Sequence, residues 1–151
     1  MATRAMLMMR VKRVGEVPVP APAYQSDHAA GLDLYAAIPG KRVLSPGERE
    51  LVPTGYAVAL PAGHEGQVRP RSGLALHHGI TVLNSPGTVD EDFRGEIGVV
   101  LINHGHEDFT IEPKMRVAQL VVAPVTRVTV DVVDELDETD RGAGGYGSTG
   151  A

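Results

Sequence analysis

A single carboxylate is the first candidate for chemistry. Asp90 follows the β-branched pair Thr88–Val89 inside the stretch Asn84 to Glu96, NSPGTVDEDFRGE. That position predicts a carboxylate on ordered backbone rather than at a floppy tip. A fixed carboxylate beside a tight glycine turn can hold a water or a ligand hydroxyl. Taken alone, the adjacent Glu91 and Asp92 favour a plainer reading, a solvated acidic loop. A second candidate is Gln67 to Ala75, QVRPRSGLA. Pro70 ends a strand, Ser72 is a suitable N-cap, Leu74 to His78 can form a short helix, and Gly79 is a natural stop. The helix start offers backbone N–H groups, the Ser72 hydroxyl and Arg71, which together favour a phosphate. An ordinary strand-to-helix junction with an exposed Arg is the alternative.

Other polar residues stand out by their surroundings. Gln119 interrupts the apolar run Arg116 to Val125, RVAQLVVAPV, and must be hydrogen-bonded or face a site. Asp33 lies in Ala29 to Ile38, AAGLDLYAAI, where Leu32, Leu34 and Ala36 alternate. This predicts Asp33 on the opposite, exposed face. The end of the chain, Arg141 to Gly150, reads RGAGGYGSTG. Five of its ten residues are glycine, so it cannot bury enough surface to fold alone and is expected to be mobile. Its Arg, aromatic ring and two hydroxyls could nevertheless close over an anion and a ring. Extended, Asp137 to Ala151 spans roughly 50 Å, enough to reach a neighbouring subunit. His104 and His106 with Asp108, and the pair His77–His78, invite a metal reading, but no spacing places three ligands together. Solvated loop and helix positions are expected instead.

The elements that must position these groups are short strands. Eighteen Gly and eleven Pro in 151 residues are too many for a helical bundle and suit strands with frequent turns. One domain is expected, with a core of Val, Leu, Ile and Ala, because Trp is absent and Phe93 and Phe109 are the only Phe. Val11 to Pro22 begins as a strand and dissolves into prolines, so it reads as an edge or an extended arm. Val43–Leu44, Glu50 to Val52 and Tyr56 to Leu60 are separated by turn signals and spaced like strands of a sandwich or barrel. Ile80 to Leu83 and Ile97 to Ile102 flank the Asp90 loop as the arms of a hairpin. Glu96 to Asn103, Asp108 to Ile111, Arg116 to Val125 and Val128 to Val133 read as the later strands. Asp131 to Asp140 then carries six carboxylates and no base.

Composition excludes some functions. A formal charge of −5 argues against a nucleic-acid polymer as partner, though not against a small anion bound locally. The absence of Cys rules out disulfides, thiolate zinc sites and Cys nucleophiles. MATRAMLMMRVKR, at the start, is too short and interrupted for a signal peptide. Arg4, Arg10, Lys12 and Arg13 hint at a transit peptide but the segment is short for one. Met6, Met8 and Met9 leave the start codon open. No run approaches a membrane span. A soluble cytoplasmic protein is expected.

Taken together, five stretches resemble the motifs of the trimeric dUTPases, the deoxyuridine triphosphate nucleotidohydrolases. They are AGLDLYA (30–36), RPRSGLA (69–75), NSPGTVDEDFRGEIGVVLIN (84–103), RVAQL (116–120) and RGAGGYGSTG (141–150), in that order. The second, third and fifth are highly specific; the first and fourth are weak alone. The resemblance implies an all-β, jelly-roll-like β-barrel subunit with one short helix. It implies a homotrimer with three sites at subunit interfaces, and hydrolysis of dUTP to dUMP and pyrophosphate with Mg²⁺ on the phosphates. Residues 1–136 would form the barrel and 137–151 a flexible tail closing over the site.

Residue by residue, the resemblance makes Asp90 the carboxylate that orients and activates water. Asn84, with backbone from Gly87 through Thr88 to Val89, would read the uracil edge, and Phe93 would pack on the deoxyribose. Arg71, Ser72, Gly73 and Gln119 would meet the phosphates, and Asp33 would help hold the hydrated metal. In the tail, Tyr146 would stack over uracil while Arg141, Gly147, Ser148 and Thr149 clasp the outer phosphates. Phe93 stands where the family usually has Tyr, and Tyr146 where it usually has Phe. Leu32 and Lys114–Met115 are also atypical. The related dCTP deaminases share the fold but need a base-site acid that these motifs lack. A binding module that had lost catalysis fits poorly with an intact Asp90, Ser72 and tail.

Overall fold

The computed structural model describes residues 6–150. Arg4, part of the basic N-terminal reading, and Ala151, the last residue of the tail, lie outside that range. The strands are β1 (Arg10–Arg13), β2 (Leu32–Tyr35), β3 (Arg42–Leu44), β4 (Arg49–Ala59), β5 (His64–Arg69), β6 (Ile80–Val82), β7 (Gly87–Val89), β8 (Glu96–Asn103), β9 (Phe109–Ile111) and β10 (Arg116–Pro124). Among the described residues there is one helix, α1 (Ser72–His78), between β5 and β6. Two four-stranded sheets, ordered β1-β4-β8-β6 and β2-β10-β5-β7, are accompanied by the pair β3-β9. All strand pairings are antiparallel. The chain has the expected jelly-roll-like β fold.

Alternation decides which side chains enter the core. Along β8, Ile97, Val99 and Leu101 are buried while Glu96 and Gly98 face out, the period-2 pattern of a sheet with one covered face. Leu34, Ile38, Leu44, Val52, Ile80, Ile111, Val117 and Leu120 are the other large apolar side chains that are fully buried. Each such side chain stabilises the fold by roughly 1.5–3 kcal/mol relative to exposure. Asn103 is the polar exception at the end of β8. Its Nδ2 donates to the carbonyls of Leu44 and Glu107, each at 2.8 Å, and its Oδ1 accepts the Gly105 N–H at 2.8 Å. One buried amide thereby ties β8 to β3 and to the loop before β9.

Several expectations change. Glu50–Val52 and Tyr56–Leu60 are not two strands but parts of β4, which runs through Pro53. The β4–β8 register slips between Pro53 and Ala57, and a bulge of this kind accommodates proline within a strand. Gly55 in the bulge has φ 79°, and its N–H donates to Glu96 Oε1 at 2.8 Å. The helix begins at Ser72, not Leu74, and its N-cap is Arg71, with no side-chain cap bond. Arg71 is extended (φ −91°, ψ 131°), so Ser72 is already the first helical residue. Gly79 stops the helix as expected, at φ 67°. Asp33 is buried rather than exposed. The proline-rich segment folds back over β2, and the Asp33 N–H donates to the Ala23 carbonyl at 2.8 Å. Val128 to Val133 is not a strand; Val128, Val130, Val132 and Val133 are exposed. A strand needs a partner edge, and among the described residues this segment has none.

The expected hairpin proves to be a bridge. Its arms pair directly as β6 and β8, with Val82 opposite Leu101, while β7 crosses to the other sheet and pairs with β5. Asn103→Ala would leave two carbonyls and one N–H without their partner. A loss of about 2–4 kcal/mol in unfolding free energy is expected, read as a lower urea midpoint.

Candidate functional site

Two separate cavities gather most of the residues singled out by the sequence, and no residue lines both. The first, about 280 Å³, is lined by Asp33, Arg71, Ser72, Gly73, Arg116 and Gln119, with Gln25 and Ala29 to Gly31 at its side. Pairing across three strands puts these groups together. Gln119 in β10 stands opposite Asp33 in β2 and opposite Arg69 in β5. The chain leaves the sheet right after Arg69, because Pro70 has no N–H to give the ladder and α1 starts at Ser72. Gln119 Nε2 donates to the Pro70 carbonyl at 3.0 Å. Arg71 Nη1 donates to the Arg116 carbonyl at 3.1 Å, and Arg116 Nη1 donates to Asp33 Oδ2 at 3.1 Å. The turn carrying Arg71, Ser72 and Gly73 is therefore fixed to β10 at two points. Two guanidiniums line the cavity, of which Arg116 is paired with the one carboxylate, and the first N–H groups of α1 have no partner within the helix. This wall suits an oxyanion.

Gly31 makes room for that arrangement. A Cβ there would lie 3.0 Å from Gln119 Cβ and 3.1 Å from Gln119 Cδ, and would overlap the amide oxygen. The φ of Gly31 is not left-handed. Space, not backbone conformation, excludes a side chain.

The second cavity, about 180 Å³, is a slot lined by Asn84, Gly87, Thr88, Val89 and Phe93, with Val68 from β5 and Glu96 to Gly98 from β8. β7 is an edge strand paired only with β5, so one row of its backbone N–H and C=O groups is free to meet a ligand. Gly87 lets the backbone come close: a Cβ there would be 3.3 Å from Asn84 Nδ2 and 3.2 Å from Val68 Cβ. Asp90 stands immediately after β7, exposed, and is not part of the slot wall. The Asp90 carbonyl accepts the Phe93 N–H at 3.1 Å. Arg94 Nη1 donates to the carbonyls of Glu91 (2.6 Å) and Phe93 (3.0 Å), and Glu91 Oε2 accepts the Gly63 N–H at 2.9 Å.

The tail joins neither cavity. Val125 N–H still donates to the Gly63 carbonyl at 2.9 Å. Beyond it, Arg141 Nε bonds only to the Gly144 carbonyl (2.8 Å), and the Ser148 N–H to that of Gly145 (3.1 Å). Tyr146 is fully exposed, and Gly147, Ser148 and Thr149 are exposed beside it. The histidines meet elsewhere. His77, His78, His104, His106 and Asp108 line a third cavity of about 490 Å³, closed by the His104 N–H on the Gly79 carbonyl at 2.8 Å. Among the described residues, no three His, Asp or Glu side chains converge as metal ligands.

Three residues were not singled out from the sequence. Arg116 and Gln25 line the first cavity and Glu96 the second. Arg116 carried a usable signal, since it opens the same strand as Gln119. Glu96 acts through the bulge at Gly55, which no local pattern announces.

A family model described as dUTPase matches residues 17–150. The deoxyuridine 5'-triphosphate nucleotidohydrolase of Syntrophotalea carbinolica is 58% identical over 144 residues, covering 95% of this chain and 97% of that protein. The enzyme of the same name from Methylocella silvestris is 59% identical over 148 residues, covering 96% of this chain and 92% of its own length. Among solved structures, the dUTPase of Staphylococcus bacteriophage 80alpha with dUPNHPP superposes with a TM-score of 0.84 at 24% identity, covering 95% of this chain and 99% of that one. A mutant dUTPase from phage phi11 of S. aureus, described with a structural Mg(II) ion, gives 0.76 at 21% identity, covering 85% and 97%. At such identities the two phage structures speak for the fold alone.

Gly31→Ala is expected to push the Gln119 amide off the Pro70 carbonyl. Losing that bond should cost about 1 kcal/mol net, read as a lower urea midpoint.

Proposed function

The chain belongs to the dUTPase family, and on that premise we propose that it is a dUTP diphosphatase whose Asp90 activates the attacking water. The observation that carries this reading is the division of the motif residues into two cavities of complementary chemistry, one a narrow slot with a free strand edge, the other a basic turn. Uracil enters the slot against the β7 edge and the Asn84 amide, Phe93 packs on the deoxyribose, and the triphosphate meets Arg71, Ser72, Gly73 and Gln119. Asp90 accepts a proton from water as the water oxygen bonds to the α-phosphorus. The bond from that phosphorus to the oxygen bridging to the β-phosphate breaks, giving dUMP and pyrophosphate. Removal of dUTP in the cytoplasm keeps uracil out of DNA, and the dUMP supplies thymidylate synthesis.

The residues fit Mg²⁺ as an outer-sphere guest. Asp33 is a lone carboxylate with one oxygen engaged by Arg116, suited to a cation that keeps its waters and is held mainly by substrate phosphates. Bound there, the ion would neutralise charge on the phosphates.

The two cavities belong to different copies at each site. Neither cavity alone has the full set of groups, so a homotrimer with slot against basic turn completes three sites. The exposed Val128, Val130 and Val132 have the spacing of a strand awaiting a partner edge, which extends the chain toward a neighbour. Residues 137–151 then close over substrate as a separate mobile unit, Tyr146 on the base and Arg141, Gly147, Ser148 and Thr149 on the outer phosphates.

Asp90→Asn should lower kcat by about 10²–10⁴-fold and leave dUTP binding nearly intact, measured by pyrophosphate release and by calorimetry. Unchanged pyrophosphate release would refute the role given to Asp90. Light scattering should return three times the 16.0 kDa chain mass; a monomer that retained full activity would refute the shared site.

A further inference from the structure

The turn after Asp90 contains a glycine whose conformation does not explain it. Gly95 has a φ outside the left-handed region, so its backbone makes no left-handed demand for glycine. What a side chain would meet there is the ring of Phe93. A Cβ on Gly95 would lie 2.6 Å from Phe93 Cζ, 2.9 Å from Cε2 and 3.5 Å from Cε1. Carbon atoms rest at about 3.5–4.0 Å, so the far edge of the ring lies directly on the bare Cα of Gly95.

The ring has little else to hold it. Phe93 is 44% exposed and is not part of the hydrophobic core. Its backbone, by contrast, is fixed on both sides. The Phe93 N–H donates to the Asp90 carbonyl, Arg94 caps the Phe93 carbonyl, and Glu96 accepts the Gly55 N–H. Only the side-chain torsions remain, and one wall of their range is Gly95. We infer that Gly95 is a positioning residue for sugar selection, seating the Phe93 ring so that the slot takes a deoxyribose and refuses a ribose. This rests on the reading of Phe93 as the group that packs on the sugar. It adds that the ring's placement is set two residues downstream. A phenyl ring has no hydroxyl with which to fix itself by a hydrogen bond, so the seat matters more here than it would for a tyrosine.

The test compares kcat/KM for dUTP with kcat/KM for UTP in four proteins: the natural chain, Phe93→Ala, Gly95→Ala and the double variant. Phe93→Ala should lower the dUTP preference at least tenfold. Gly95→Ala should lower it by a comparable factor, because the ring must move by about 1 Å to clear the new methyl. In the double variant Gly95→Ala should add nothing to Phe93→Ala, since residues acting through one contact are not additive. If Phe93→Ala leaves the preference unchanged, the reading of Phe93 fails and the inference with it. If Phe93→Ala lowers it and Gly95→Ala does not, the reading stands and the inference about Gly95 is overturned. A further loss in the double variant also overturns it, because Gly95 would then act by another route. Should Gly95→Ala alone fail to fold, the double variant, freed of the ring, should fold like Phe93→Ala; failure of both overturns the inference.

Discussion

One row of three residues across adjacent strands holds the basic half of the site together. Asp33, Gln119 and Arg69 stand opposite one another on β2, β10 and β5. Their sequence separations are large, yet the ladder brings them to neighbouring strand spacings of roughly 5 Å. A slip of one residue would turn Gln119 inward and Ala118 or Leu120 outward. Burial of Ala118 and Leu120 therefore fixes the direction of Gln119, and Gln119 fixes the Pro70 carbonyl. Apolar packing sets the register, and the register sets the polar geometry.

The slot is built by a different device. β6 and β8 pair within one sheet while β7, between them in sequence, pairs with β5 in the other. The segment is thus anchored in both sheets. Arg94, Glu91 and Glu96 fasten its turn to backbone groups, two of them on remote glycines, Gly63 and Gly55. Such bonds hold Asp90 in place without burying it, leaving the carboxylate open to water.

How much of this was legible in the sequence depended on the range of the forces involved. The apolar runs of β8 and β10 and the stop at Gly79 are local, and they were readable. β4 was read as two strands because Pro53 is locally a breaker; its tolerance depends on a bulge against β8. Asp33 looked exposed because its cover comes from a fold-back of the proline-rich segment at Ala23 and from Arg116, a strand partner 83 positions away. Val128 to Val133 has the composition of a strand but no partner edge among the described residues, and composition cannot supply one. For the candidate site, residue types and motif order identified the groups. That they divide between two unconnected cavities was not visible, since it follows from the path of β7 between sheets.

That division has a genetic consequence. Damage to the slot leaves the basic turn of the same chain intact, and damage to the turn leaves the slot intact. In an assembly where each working site draws on two copies, chains carrying lesions in different halves belong to separate complementation groups. In such an assembly, two inactive alleles mixed in one cell would restore a fraction of sound sites. Two lesions on one chain, by contrast, spoil two sites of every assembly that chain enters.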